Sequence, residues 1–284
     1  IVAVCNTTIA FGDYNGRNIY VMNSQGILGE IATNMPIRAL SVAENGVVAA
    51  VLDDSDITWI YFYNSKGEVA IRFKTTMSQF GYPVDISLSP NSNLAMVSYI
   101  AEEEGAVRSS VAFYNFGEVG QNEVDNYMSG YNYPSVVPYV SFMTSELAFA
   151  VADDRLAFYE GAQKPVSKSE VMLEGEVRSV YHNETYVALV SYDTTGGSKY
   201  VINVYESTGK NCLSQGFDTE YRNVVLKGEN IYIYGEAECC IYNLSGVEKF
   251  NGTMDTSISL LLPGDSVRKF TLVGQDSIDE IELN

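Results

Sequence analysis

One short phrase recurs along the whole chain: a β-rich apolar run, then usually an aromatic residue, Asn or Glu, and often a glycine. It reads IYVMNSQG at 19–26, IYFYNSKG at 60–67, VAFYNFGEVG at 111–120, LAFYEG at 156–161, INVYESTG at 202–209 and CCIYNLSG at 239–246, and a degraded copy, IDEIELN, closes the chain. With Met22, Tyr63, Tyr114, Tyr159, Tyr205 and Tyr242 as equivalent positions, the steps are 41, 51, 45, 46 and 37 residues. That period belongs to propeller blades rather than helical solenoids. A lone four-stranded blade cannot bury both faces of its sheet, so repeats of this kind predict one closed array. The expected fold is all-β, a seven-bladed β-propeller forming a single domain over 1–284.

A second signal repeats with the first. Two β-rich runs split by polar turn residues occur at 1–13, 38–52, 85–99, 140–152, 178–192, 222–236 and 258–274, the pattern of a β-hairpin. Calling the strands of a blade A to D from the inside outward, these hairpins supply A and B, the phrase supplies C, and D follows a glycine-containing turn. The inventory holds seven hairpins and seven C strands but only six D segments. The last blade, about 257–284, is therefore expected to lack its outer strand. Such a strand must come from residues before Ile1, and the start without Met fits a segment upstream. A whole upstream blade would make the propeller eight-bladed.

Composition narrows the function. With 36 acidic against 17 basic residues, the net charge of −19 repels phosphates, so nucleic acid is not an expected partner and an anionic membrane surface is disfavoured. No run of 18 apolar residues is present, so contact with a membrane is expected only through a missing N-terminal anchor. The four cysteines have no metal-ligand spacing. Cys239 and Cys240 are adjacent on a strand and should point to opposite faces, which disfavours a bond between them. No cofactor or metal is expected, and the chain reads as a monomer.

Three stretches are more specific: GYPVDISLSPNSNLAMVSY at 81–99, FYNFGEVGQN at 113–122 and LLP at 261–263. On these the whole chain resembles an uncharacterised family of bacterial propellers, found mainly in Gram-positive gut anaerobes. The resemblance implies an N-terminal membrane-spanning segment followed by an extracytoplasmic, cell-surface propeller, and it brings no catalytic residues. More distantly the repeats are similar to quinoprotein-like and WD-repeat propellers. The chain departs from both: it has one tryptophan, Trp59, no Trp-Asp ending to its C strands, and no sialidase Asp-box.

Candidate residues gather at the turns. B–C and D–A turns share a face, and every B–C turn contains acid: Asp13; Asp53, Asp54 and Asp56; Glu102 to Glu104; Asp153 and Asp154; Asp193; Glu236 and Glu238; Asp276. These acids either satisfy turn backbone groups or form a rim for a basic partner or a divalent cation, with Asp53 to Asp56 the best cation candidate. Near the same face Arg38, Asp85, Tyr139, Arg178 and Arg222 begin the A strands of blades 2 to 6. The arginines can converge to clamp a carboxylate or phosphate, or each can pair with a B–C turn acid. Aromatic candidates are Tyr127, Tyr131, Tyr133 and Tyr139, placed in a long D–A connection over 126–139, and Phe80 and Tyr82 in the preceding one. They suit peptide or glycan binding, or pack the loop. Catalysis has little support: the single histidine, His182, is expected at an A–B turn on the opposite face, and no nucleophile elbow or phosphate loop is present.

The expected function is thus non-enzymatic: a propeller recognising a protein or glycan ligand on the face of the D–A and B–C turns. The ligand-binding candidates are Arg38, Asp85, Arg178, Arg222, Phe80, Tyr82, Tyr131 and Tyr133. One alternative is a polysaccharide hydrolase or lyase using rim carboxylates, which requires two carboxyls about 5 to 9.5 Å apart. Another is a structural spacer in a cell-envelope assembly.

Overall fold

A computed structural model describes residues 1–53, 58–75 and 81–282. Blade 1 holds β1 (Val2–Cys5), β2 (Thr8–Gly12), β3 (Asn18–Asn23) and β4 (Gly26–Ala32), and blade 2 holds β5 (Ile37–Val42), β6 (Val48–Asp53), β7 (Thr58–Tyr63) and β8 (Val69–Thr75). Blade 3 holds β9 (Tyr82–Leu88), β10 (Leu94–Glu103), β11 (Ala106–Asn115) and β12 (Tyr127–Tyr133); blade 4 holds β13 (Tyr139–Phe142), β14 (Leu147–Val151), β15 (Arg155–Glu160) and β16 (Val166–Met172). Blade 5 holds β17 (Val177–His182), β18 (Tyr186–Tyr192), β19 (Tyr200–Glu206) and β20 (Asn211–Phe217); blade 6 holds β21 (Asn223–Lys227), β22 (Asn230–Tyr234), β23 (Glu238–Asn243) and β24 (Glu248–Thr253). Blade 7 has three strands among the described residues, β25 (Leu260–Pro263), β26 (Lys269–Val273) and β27 (Ile278–Glu282). Every sheet is an antiparallel meander in chain order. The chain divides into two compact units: Ile1–Leu173, with blades 1 to 4, and Glu174–Asn284, with blades 5 to 7.

The recurring phrase has a structural cause. Its tyrosines, Tyr63, Tyr114, Tyr159, Tyr205 and Tyr242, are all buried. The C–D register slips at each of them, and at Met22 in blade 1. A β-bulge at one fixed position bends every four-stranded blade in the same way. Asparagines that follow close the C–D turn: Asn23, Asn64, Asn115 and Asn243 accept from the backbone N–H of Gln25, Lys66, Gly117 and Ser245 at 2.9, 3.0, 2.7 and 3.1 Å. This is an Asx turn. Where a positive φ follows, as at Gly67 (+81°) and Gly246 (+74°), glycine is the residue without a steric penalty.

Burial follows position within the blade. The B strand β6 is buried at five of its six residues, whereas the D strand β16 is exposed at five of its seven and fully buried at none. Middle strands are covered on both faces and so read as continuous apolar runs; outer strands wet one face. Adjacent residues on one strand therefore enter different interfaces. Cys240 packs in the core between blades 5 and 6, and Cys239 in the core between blades 6 and 7. Both are free thiols. Burial pushes Cys239 to about 12 and Cys240 to about 11, which makes them unreactive packing residues.

Innermost strands have an exposed backbone edge, and side chains of the preceding blade supply its partners. Ser41 Oγ accepts from Leu88 N–H at 2.8 Å, and Ser87 Oγ from Phe142 N–H at 3.0 Å. The register makes Ser41 and Ser87 equivalent positions on successive A strands.

Candidate functional site

Strands alternate in direction, so the B–C turn of a blade and the connection leaving its D strand emerge at one end of the sheet. In the first unit this end carries a closed cluster around Arg38 at the start of β5. Its guanidinium meets the Asp53 carboxylate at 3.1 Å and 3.2 Å. The same group hydrogen-bonds the Asn15 side chain and lies 5.4 Å from the centre of the Tyr14 ring. Tyr82, at the start of β9, is half-buried there; burial first, and then the Asp53 charge, push its hydroxyl above the usual phenol range. Gly81 enters this strand with φ of +90°, and a Cβ there would collide with the Ile100 carbonyl. Two sequence candidates, Arg38 and Tyr82, thus share one cluster, with Asp53 as their common partner. Phe80, Asp54 and Asp56 lie outside the described residues.

Asp85 turns into the structure. Its two carboxylate oxygens accept from the backbone N–H of Ile86 and of Val140, each at 2.9 Å, and Val140 belongs to the next blade. Burial raises its pKa to about 6, against the two N–H bonds that favour the charge. The equivalent residue of blade 6 is Asn223, whose side-chain oxygen accepts from Val224 N–H at 2.9 Å.

Tyr131 and Tyr133 require a correction. The segment expected as a long loop is strand β12 (Tyr127–Tyr133), leaving only 134–138 as the D–A connection. Tyr133 is buried and its hydroxyl bonds that of Tyr159. Tyr131 is half-buried; its hydroxyl donates to the Pro165 carbonyl at 3.1 Å and accepts from Ser167 N–H at 3.1 Å. Aromatic runs with alternating period favour a strand, and here that preference outweighs the Gly130, Asn132 and Pro134 turn signals. Both hydroxyls serve the packing of blade 3 on blade 4.

In the second unit the cluster is open. Arg178 stands exposed on β17, 5.0 Å from the centre of the Tyr192 ring and 5.5 Å from that of Tyr200, and its guanidinium bonds the Tyr192 hydroxyl. Among the described residues no carboxylate forms an ion pair with it. Tyr192 is 52 % exposed. Tyr221 closes the arrangement, edge-on to Tyr200 at 5.1 Å with its hydroxyl 2.7 Å from Ser179 Oγ. Lys199 lies 5.3 Å from the centre of the Tyr200 ring and pairs with Glu220. Arg222 does not join this group; it forms an exposed ion pair with Glu236 at 2.9 Å.

Three further turn acids, Asp193, Asp154 and Glu103, have local partners. Asp193 accepts from the Thr195 and Ser198 hydroxyls and from the N–H groups of Thr195, Gly197 and Ser198; the Thr195 hydroxyl first, and then the Thr195 N–H and the Ser198 bonds, lower its pKa far below the carboxylate range. Asp154 is held at about 2 by bonds from Arg155 and Ser135. Glu103 pairs with Arg108. Among the described residues no three metal-ligating side chains converge. His182 ends β17 half-buried, and burial lowers its pKa. Sequence reasoning missed Tyr192, Tyr200 and Tyr221, which sit in three different segments; only the fold brings them to Arg178.

Seven consecutive antiparallel meanders of this kind define a seven-bladed β-propeller. BamB from Moraxella catarrhalis shares the fold at 10 % identity and a TM-score of 0.53, over 99 % of this chain and 83 % of BamB. The Dos1 propeller does so at 12 % and 0.61, over 98 % and 76 %. Sqt1 from Chaetomium thermophilum, bound to the N-terminus of ribosomal protein L10, does so at 12 % and 0.59, over 99 % and 82 %. At these identities the likeness is one of fold. In sequence the chain matches DUF5711, a family of unknown function, over residues 1–283, and it belongs to that family. No curated protein matches it in sequence.

Proposed function

We propose that this protein is a non-enzymatic binding propeller that holds a protein or glycan ligand at the end of its blades carrying the B–C and D–A turns. Its place is extracytoplasmic, at the cell surface, anchored by a segment N-terminal to Ile1. The observation that carries the reading is the Arg178 cluster: a guanidinium that no carboxylate pairs with among the described residues, backed by the rings of Tyr192 and Tyr200. Rigid tyrosines beside an arginine offer flat apolar area, hydroxyls and a planar fork of donors at low entropic cost, the composition that dominates binding hot spots. A neighbour of the same fold, Sqt1, holds the N-terminus of a ribosomal protein, which is a precedent for the protein-ligand form of the reading.

The polysaccharide-hydrolase alternative draws on one observation, the raised pKa of Asp85. Both of its oxygens are engaged by backbone N–H groups of two blades, which suits a structural tie better than a proton donor. The test is a glycan array together with capture from envelope extract, using the wild-type chain, Arg178→Ala and Tyr192→Ala. The wild type should retain a ligand that both variants lose. Retention unchanged in both variants, or cleavage of a bound glycan that Asp85→Asn abolishes, would overturn it.

A further inference from the structure

Three charged groups of blade 5 and the turn after it share one buried ring. Tyr200 is 3 % exposed. The Arg178 guanidinium lies 5.5 Å from the centre of its ring and the Lys199 ammonium 5.3 Å, while its hydroxyl donates to Glu220 Oε2 at 3.3 Å. The other oxygen of Glu220 is ion-paired with Lys199. Glu220 precedes Tyr221, whose hydroxyl is 2.7 Å from Oγ of Ser179, the residue after Arg178. The Arg178 site thus has a carboxylate of its own at its edge, engaged by Lys199 and Tyr200. The charges feel one another: the Lys199 bond first, and the Arg178 charge among the smaller causes, lower the Glu220 carboxyl below its usual range.

Register explains why Glu220 matters. Arg38 and Arg178 each fall at a slip in the A–B pairing, after Ile37↔Leu52 in blade 2 and Val177↔Ser191 in blade 5, and the residue following the B-strand partner is Asp53 in one and Tyr192 in the other. With tyrosine in the Asp53 position, the acids around Arg178 come from turns. Asp193 is occupied by five bonds of its own turn, and Asp218 accepts from the Lys199 N–H at 2.7 Å. Glu220 has only the lysine and one phenol. Lys199 is itself fixed, since its carbonyl also accepts from Asp193 N–H at 3.2 Å. A released carboxylate favours the planar two-donor fork of a guanidinium over the point charge of an ammonium.

We infer that Lys199 is a positioning residue for this site: by holding Glu220 it keeps the Arg178 fork open for an anionic group of the ligand, with which Glu220 would otherwise compete. A ligand that covered Arg178 without bringing an anion would leave a desolvated charge unpaired, which is costly. The inference rests on the Arg178 cluster being the binding site, and a readout that needs no natural ligand keeps its failure apart from the failure of that reading.

The test titrates acetate, at constant ionic strength, into the 284-residue chain and follows the side-chain Nε–H resonance of Arg178. Acetate should bind Lys199→Met about two- to fivefold more weakly than wild type, the size of an exposed ion pair. Lys199→Arg, which keeps the pair with Glu220, should rescue most of that loss, and Lys199→Met combined with Glu220→Gln should regain the wild-type affinity. A purely structural lysine would not be rescued by removing a carboxylate. Before any acetate is added, Glu220→Gln should move the Arg178 resonance further in the Lys199→Met chain than in the wild type. An Arg178 resonance that acetate leaves unmoved in the wild type, an unchanged affinity in Lys199→Met, or no recovery in the double variant would overturn the inference. Failure of the glycan array and the envelope extract to yield any ligand would overturn the binding reading and leave Lys199 to be decided by the acetate result.

Discussion

Arg38 and Arg178 begin A strands in different units and meet opposite surroundings. The Arg38 guanidinium is tied to Asp53, which is 15 % exposed in its side chain, and to Asn15. The Arg178 guanidinium has tyrosines where Arg38 has a carboxylate. A charge already neutralised by its own fold contributes to holding strands β5 and β6 together and has little left for a ligand. A charge set among tyrosines, with no carboxylate in ion-pair contact among the described residues, keeps donors for a ligand. One sequence position therefore supports two roles, and the second residue around it decides which.

The largest effect should come from opening or closing the Arg178 cluster. Arg178→Ala should weaken ligand binding by about tenfold or more, since a planar fork of donors is not replaced by solvent, and should leave the thermal midpoint unmoved. Tyr192→Glu should have the same consequence for another reason: it builds at blade 5 the carboxylate pairing that Asp53 gives Arg38. Titration calorimetry and thermal melts of both variants check this. Binding kept by Tyr192→Glu would show that a guanidinium without a carboxylate beside it is not what the ligand meets.

A second contrast between the units concerns Asp85 and Asn223, which make the same short-range backbone bond with different chemistry. The folded pKa of Asp85, about 6, lies above the roughly 3.9 of an unfolded aspartate, so the folded chain holds this proton to higher pH. Its contribution to stability is greatest below about pH 4, falls as pH rises towards 6, and is flat above, a change on the order of 2 kcal/mol. Asp85→Asn should remove that slope when urea unfolding is followed from pH 4 to pH 7. An unchanged slope in the variant would place the titration elsewhere.

Smaller effects are expected at the closed pairs. Arg38→Ala should cost about 1 kcal/mol by urea denaturation, because it leaves a largely covered Asp53 carboxylate without its partner. Arg222→Ala should cost less than about 0.5 kcal/mol, its pair with Glu236 being solvent-screened. Reversal of this order would mean that exposure is not what separates the two pairs.

Much of the fold is legible in the sequence because one local event repeats. The bulge falls on a tyrosine at Tyr63, Tyr114, Tyr159, Tyr205 and Tyr242, and an asparagine closes the turn after three of them, Asn64, Asn115 and Asn243, so the blade period appears as a phrase. The candidate site is legible only in part. Arg38 and Arg178 occupy equivalent positions in the repeat and can be found by alignment, but their partners come from turns and neighbouring strands whose approach no periodicity encodes. Tyr192 and Tyr200 pair across β18 and β19, while Tyr221 precedes the next blade. The misreading of Tyr131 and Tyr133 has a physical source too. Gly130, Asn132 and Pro134 are turn residues by preference, yet β12 pairs with β11 along its length, and the sheet's backbone bonds and the Tyr133–Tyr159 contact override that preference.

The comparison of the two arginines is tested most directly by the affinity of one captured ligand for Arg178→Ala and Arg38→Ala at a single salt concentration, with both variants shown to be folded. The account predicts a loss confined to Arg178→Ala. Equal affinities, or a loss in Arg38→Ala with Arg178→Ala unchanged, would contradict it.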